Sequence, residues 1–282
     1  MHLYDGELSA RIGASTLYLI YAREPFEAIE REITAEREEK PELWEVFDSL
    51  HHALDKMRIK RLKELVGVGY KLSLHSPFEP WINIADREPS RRKQAIMRMK
   101  DSIDAAAELE AVFFTLHPGV YSGLIEDKRK MSLLNADAIV SLYDYADSRG
   151  IVLSVENMPP NRDYFLVTPQ EFLDIKEQSG LKLKITFDAG HANLAGLIDE
   201  FLKTLVEYIF EVHVHDNRGG LDEHLDVGLG SIDWPKIVKE LYIRDKLVYY
   251  VAETYKPPFK SVAWLKEKTS AFERRFRFTR GI

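Results

Sequence analysis

Six times along this chain a short apolar stretch ends in a histidine or a carboxylate. The residues are His75, His117, Glu156, Asp188, His213 and Glu253, spaced 42, 39, 32, 25 and 40 apart. Each stretch has strand length and is followed by a helical pattern, so the spacing is about one β/α unit. Eight such units in series predict a parallel sheet closed into a (β/α)8 barrel, where the C-terminal ends of all strands meet on one face. Six ligand-type side chains would then converge in one bowl. A length of 282 residues suits one barrel of about 250 residues, so a single α/β domain over 1–282 with a C-terminal amphipathic helix is expected.

Strands are expected at 11–16, 42–48, 70–74, 111–116, 151–155, 183–187, from Ile209 onward, and at 247–252. Helices are expected at 24–40, 55–66, 89–109, 130–149, after Thr168-Pro169, and at 197–208, 234–242 and 261–276. Pro41 stops the first helix and Gly150 closes the fourth. Thr168 with Glu171 reads as a capping box. Gly13, in the first strand, marks a place where something approaches the backbone closely.

The densest chemistry lies in Ile209 to His224, IFEVHVHDNRGGLDEH. Strand alternation sends Val212 and Val214 one way and Glu211, His213 and His215 the other. Asn217 to Gly220 then turns, and Asp222 and His224 follow in the loop. The chain has no cysteine, so a metal would be held by imidazole and carboxylate, the mixture that Zn²⁺ and its neighbours prefer. A buried carboxylate can simply be paired and a strand-end histidine can simply bond a carbonyl, but six strands ending alike point to a metal site. No apolar run of signal or membrane-spanning length occurs, so a cytoplasmic protein is expected. Only six Asn and three Gln stand against 85 charged residues, a bias associated with heat-adapted proteins. The net charge of −7 gives the chain as a whole no attraction to polyanions.

The strings HSPFEPWIN, LHPG, VENM, TFDAGH, HVHDN and DEHLDVGLGSIDW, with Glu253, resemble the xylose isomerase-like barrel superfamily from Gly13 to Glu253. That superfamily includes sugar isomerases and epimerases and the endonuclease IV type of abasic-site nuclease. In the isomerase branch the resemblance implies one divalent ion, Zn or Mn, on Glu156, Asp188, His213 and Glu253. In the nuclease branch it implies three zinc ions: on His75, His117 and Glu156; on Glu156, Asp188, His213 and Glu253; and on His191, Asp222 and His224.

Two activities follow. In a sugar or sugar-phosphate isomerase or epimerase, Glu156 and Glu253 act as an acid–base pair across the substrate. His75, His117, His215 and Asp216 would bind its hydroxyls, Arg218 would reach a phosphate or lie in solvent, and Phe78 and Trp81, with Phe165, would wall its apolar face. The alternative is a zinc-dependent abasic-site phosphodiesterase. Nuclease relatives carry an arginine-bearing loop after the second strand, which DSLHHALDK lacks, and a tyrosine where Phe78 stands. Glu79-Pro80-Trp81 is two residues longer than their pattern, and the acidic stretch 24–45 would repel phosphates. The isomerase is the favoured expectation, with a small-molecule sugar as partner, nucleic acid disfavoured, no membrane, and a homo-oligomer left open. A non-catalytic sugar binder has no need for two such glutamates. His51 and His52 are expected on the surface or the pocket rim.

Overall fold

The computed structural model describes residues 11–121, 128–160, 163–243 and 248–280. Eight parallel strands pair in sequence order and close on themselves. They are β1 Arg11–Ser15, β2 Leu43–Phe47, β3 Leu72–His75, β4 Phe114–Leu116, β5 Leu153–Glu156, β6 Ile185–Asp188, β7 Ile209–Val214 and β8 Tyr249–Ala252. The seam runs in register from Arg11 opposite Tyr249 to Ala14 opposite Ala252. A Cβ on Gly13 would sit 3.2 Å from Leu43 O and 3.2 Å from Val251 Cγ2, so the close approach there is made by the two neighbouring strands. Leu247, expected to begin the last strand, lies outside the described residues.

Ten helices surround the barrel among the described residues. They are α1 Leu17–Tyr21, α2 Glu27–Thr34, α3 Lys56–Gly67, α4 Pro89–Glu108, α5 Lys128–Ser148, α6 Pro169–Ser179, α7 Ala189–Ala195, α8 Ile198–Thr204, α9 Trp234–Ile243 and α10 Phe259–Arg280. Local chemistry sets several ends. The Asp55 carboxylate accepts from Arg58 N at 2.8 Å, the capping box of Thr168 and Glu171 is present, and Gly180 leaves α6 at φ 70°. The main core lies between the barrel and the helices, with Leu62, Ile103, Leu142, Phe172, Phe201, Ile237 and Leu265 buried against outward strand residues.

Three expectations change. The helix expected over 24–40 is only the eight residues of α2, because Arg23 at φ 56° delays its start and the chain is extended from Ala35. The segment 197–208 breaks at Leu205 into α8 and a short 3-10 turn, Val206–Tyr208. The acidic stretch 24–45 is largely paired: Arg31 with Glu24, Arg37 with Glu32, Arg61 with Glu27 and Glu30, and Lys266 with Glu39. Its repulsion of phosphates is correspondingly weaker. Helices α1 and α7 were not foreseen. α7 is short and contains Gly190, and its start is fixed by the Asp188 carboxylate accepting from His191 N at 2.6 Å.

Candidate metal centre

At the C-terminal mouth of the barrel, carboxylates from β5, β6 and β8 close on one imidazole from β7. His213 Nδ1 lies 3.4 Å from Glu156 Oε1, 3.4 Å from Glu253 Oε2 and 3.7 Å from Asp188 Oδ2. All four side chains are buried. Neither nitrogen of His213 makes a hydrogen bond. Beside them His75 and His117 place Nε2 at 3.4 and 2.9 Å from Glu156 Oε2. Across the bowl Asp222 lies between two more rings, 3.4 Å from His191 Nε2 and 3.3 Å from His224 Nε2.

The tautomers of three rings are set by the main chain. His75 Nδ1 donates to Ser76 O, His191 Nδ1 to Asn157 O and His224 Nδ1 to Glu253 O, each at 2.8 Å. Nε2 of each is thereby the nitrogen turned into the carboxylates, the orientation that metal-ligating histidines take. Gathering this many carboxylates away from water is costly without cations to offset them. Donor atoms of His75, His117 and Glu156 lie within 4.8 Å of one another, as do those of Glu156, Asp188 and His213, and those of His191, His215, Asp222 and His224. Together with the unpartnered His213 nitrogens, these donor sets fit divalent cations. Glu156, Asp188, His213 and Glu253 would form one site, with His75 and His117 sharing Glu156 and with His191, Asp222 and His224 as a flanking group.

The protein's own charges separate the two glutamates. Burial pushes Glu253 up, to about 7, and His213 and His224 only partly oppose it. Burial pushes Glu156 the same way, but His117 and His213 outweigh it and hold that carboxyl well below the usual range. Burial keeps His117 and His215 below the ordinary histidine value. His191 runs against its burial and is pushed up to about 10 by Asp188 and Asp222.

A cavity of about 110 Å³ opens over this centre. Its walls are Leu17, Tyr21, Phe47, Phe78, Met158, Tyr164 and Tyr255, with His75, His117, Glu156, His191, Asp222, His224 and Glu253 inside. Phe47 stacks on His75 at 3.9 Å between ring centres, and Tyr255 stacks on His224 at 4.4 Å.

Other expected residues fall elsewhere. His215 lies below the cavity, with Nε2 2.9 Å from Asp188 Oδ2 and its ring 3.7 Å from that of His224. Asp216 accepts from the main-chain N–H groups of Asn217, Gly228 and Ile232 and ties the β7–α9 loop together. Arg218 is exposed and paired with Glu223. Trp81 is 63% exposed and outside the cavity wall, while Phe165 is buried away from it. His52, expected at the surface, is buried against Glu24 O at 2.9 Å.

Sequence reasoning passed over Glu45 and Glu211 as site residues. Both are buried beneath His213, and the signal was available: a charged residue in mid-strand on the inward face, within LWEVF and IFEVHV.

The sequence model described as xylose isomerase-like TIM barrel matches residues 24–273. An uncharacterized protein of Methanocaldococcus jannaschii is 34% identical over 204 residues, which cover 70% of this chain and 69% of that protein. A probable endonuclease 4 of Thermoplasma acidophilum is 25% identical over 166 residues, 54% of this chain and 56% of that one. Among solved structures, a D-tagatose 3-epimerase-like protein superposes with a TM-score of 0.85 at 29% identity, covering 94% of this chain and 99% of the other. With a closed eight-stranded parallel barrel, donor groups gathered at the strands' C-terminal ends, and a family match over almost all of its length, this chain belongs to the xylose isomerase-like TIM barrel family.

Proposed function

We propose that the protein is a metal-dependent isomerase or epimerase acting on a small sugar or sugar phosphate. The observation that carries the reading is the pair Glu156 and Glu253, which enter from β5 and β8 and each place an oxygen 3.4 Å from His213 Nδ1. The likeness to a D-tagatose 3-epimerase-like protein supports it. A cavity of about 110 Å³ is below the roughly 300–1,000 Å³ of sites for drug-sized ligands and suits a compact polyol.

Bound at Glu156, Asp188, His213 and Glu253, a divalent ion such as Zn²⁺ or Mn²⁺ would polarise substrate oxygens and acidify the neighbouring C–H. The chain's own groups do the rest. Glu156, ionised at neutral pH, takes the proton from carbon. Glu253, with its higher affinity for a proton, returns one from the other face, inverting that carbon with no net change in composition. Phe47, Phe78 and Tyr255 keep water from the reacting carbon, and His117 holds Glu156 in place.

The test is to incubate the zinc- or manganese-loaded protein with a panel of ketopentoses and ketohexoses in D₂O. Epimerisation with deuterium at the inverted carbon is expected, and absence of both product and wash-in across the panel refutes the reading.

One observation favours a second reading, the zinc-dependent abasic-site phosphodiesterase: the separate group His191, Asp222 and His224, which completes three donor sets. The distant likeness to a probable endonuclease 4 supports it. Under the isomerase reading no duplex containing an abasic site is bound at physiological salt. Chelator-sensitive incision of such a duplex would promote the second reading.

A further inference from the structure

The other nitrogen of His213 faces downward, into the barrel. Nε2 lies 3.4 Å from Glu45 Oε2 and 3.5 Å from Glu211 Oε1, and neither oxygen has a hydrogen-bond partner. The opposite oxygens of the same carboxyl groups share one hydroxyl. Thr115 Oγ1 is 2.8 Å from Glu45 Oε1 and 2.8 Å from Glu211 Oε2. Thr186 Oγ1 is a further 2.7 Å from Glu211 Oε2 and 2.8 Å from Ser154 Oγ. These groups come from β2, β4, β5, β6 and β7, and all are at 0% exposure. They form a polar layer across the barrel lumen, where apolar side chains would ordinarily fill the space.

Such a layer is hard to explain as packing. Two carboxyl groups at the centre of a barrel, with an oxygen each left unbonded, cost stability, and apolar residues of similar volume would restore it. Their arrangement is explained by the ring above. Thr115 clamps both carboxyl groups from below, so their free oxygens flank one ring nitrogen of His213, and only one orientation of that ring turns an N–H rather than a C–H toward them. In that orientation Nε2–H points down and the Nδ1 lone pair points up, to Glu156, Asp188 and Glu253. We infer that Glu45, Glu211 and Thr115 are positioning residues that fix the ring orientation and tautomer of His213 as a metal ligand, an inference that rests on the metal-centre reading above.

The probe is Zn²⁺ alone, measured by competition with a chromophoric chelator on the full-length protein, with melting temperature recorded in chelator. Glu45→Leu and Glu211→Leu remove the acceptor, and each is expected to weaken Zn²⁺ binding by about 10–100-fold. Glu45→Gln and Glu211→Gln keep an acceptor oxygen and are expected to fall between wild type and the leucine variants. Thr115→Val, which removes only the clamp, is expected to weaken binding several-fold and carries the test if a leucine variant does not fold. Affinity and stability should part company, because a merely structural layer would change the melting temperature and leave the affinity of the folded protein as it was. Wild-type affinity in the folded Leu or Val variants overturns the inference. The reading beneath it is tested separately, by Zn²⁺ binding to wild type and its loss in Glu253→Gln. If that pair behaves as expected while the Leu and Val variants match wild type, only the inference falls.

Discussion

Gly190→Ala should damage the centre without altering any donor atom. Gly190 sits in the first turn of α7, directly over His215, and a Cβ built there lies within 2.7 Å of three ring atoms of that histidine, Cε1, Nδ1 and Nε2. Favourable heavy-atom contacts begin at about 3.5 Å and the nearest ring atom, Cε1, is at 2.0 Å, so ring and helix must separate by roughly 1.5 Å. His215 has little freedom to yield. Its Nε2 is held 2.9 Å from Asp188 and its face is packed at 3.7 Å on His224. Overpacking of this kind costs about 1–3 kcal/mol, which for a chain of this size is a fall in melting temperature of about 2–12 °C, at about 2–4 °C per kcal/mol. Because Asp188 loses its partner and His224 its stacking surface, Zn²⁺ affinity should fall about 10-fold or more. Melting curves in chelator and chelator-competition titrations measure the two effects. Gly67→Ala is the control: no atom lies within 4 Å of its Cβ, and it should be neutral or slightly stabilising. If Gly190→Ala matches wild type in both melting temperature and Zn²⁺ affinity, the packing described around His215 is wrong.

Glu253→Gln and Glu156→Gln should each fold and lose about 10²-fold or more of epimerase rate, and wild-type turnover in either would move the acid–base pair elsewhere. Under the isomerase reading elemental analysis gives one ion per chain, and His191→Ala with His224→Ala leaves that count unchanged while weakening affinity. Loss of a whole equivalent favours the hydrolase. His191, pushed up to about 10 from 6.5, keeps its proton in the folded chain where the unfolded chain releases it. This contribution to stability is complete below about pH 6.5 and lost as pH rises through about 10. Chelator-treated protein should therefore lose up to about 1.4 kcal/mol per pH unit within that window, and His191→Ala should flatten the profile. A flat wild-type profile refutes the assignment.

The barrel was legible because its strands end in side chains that water would ordinarily claim. Each of His75, His117, Glu156, Asp188, His213 and Glu253 interrupts an apolar run, and the interval between interruptions is the length of a β/α unit. What could not be read was which polar residues face one another. Glu45 and Glu211 lie far apart in sequence, and only barrel closure brings both under His213. Trp81 shares a segment with Phe78, but two residues of turn carry it out to solvent. α7 was hidden because the glycine that lowers its helix propensity is the one that lets His215 lie beneath it.

The order of the donors along the chain gives the centre a history. His75, His117 and Glu156 come from three consecutive strands, β3 to β5, each paired with the next. Glu253 follows β8, which pairs with β7, so Glu156, Asp188, His213 and Glu253 likewise come from consecutive paired strands, β5 to β8. A partly folded chain of strands β3 to β8 therefore carries the donors of both groups, with Glu156 shared between them, before β8 docks on β1. During refolding, zinc should protect strands β3 to β8 from proteolysis before it protects β1 and β2.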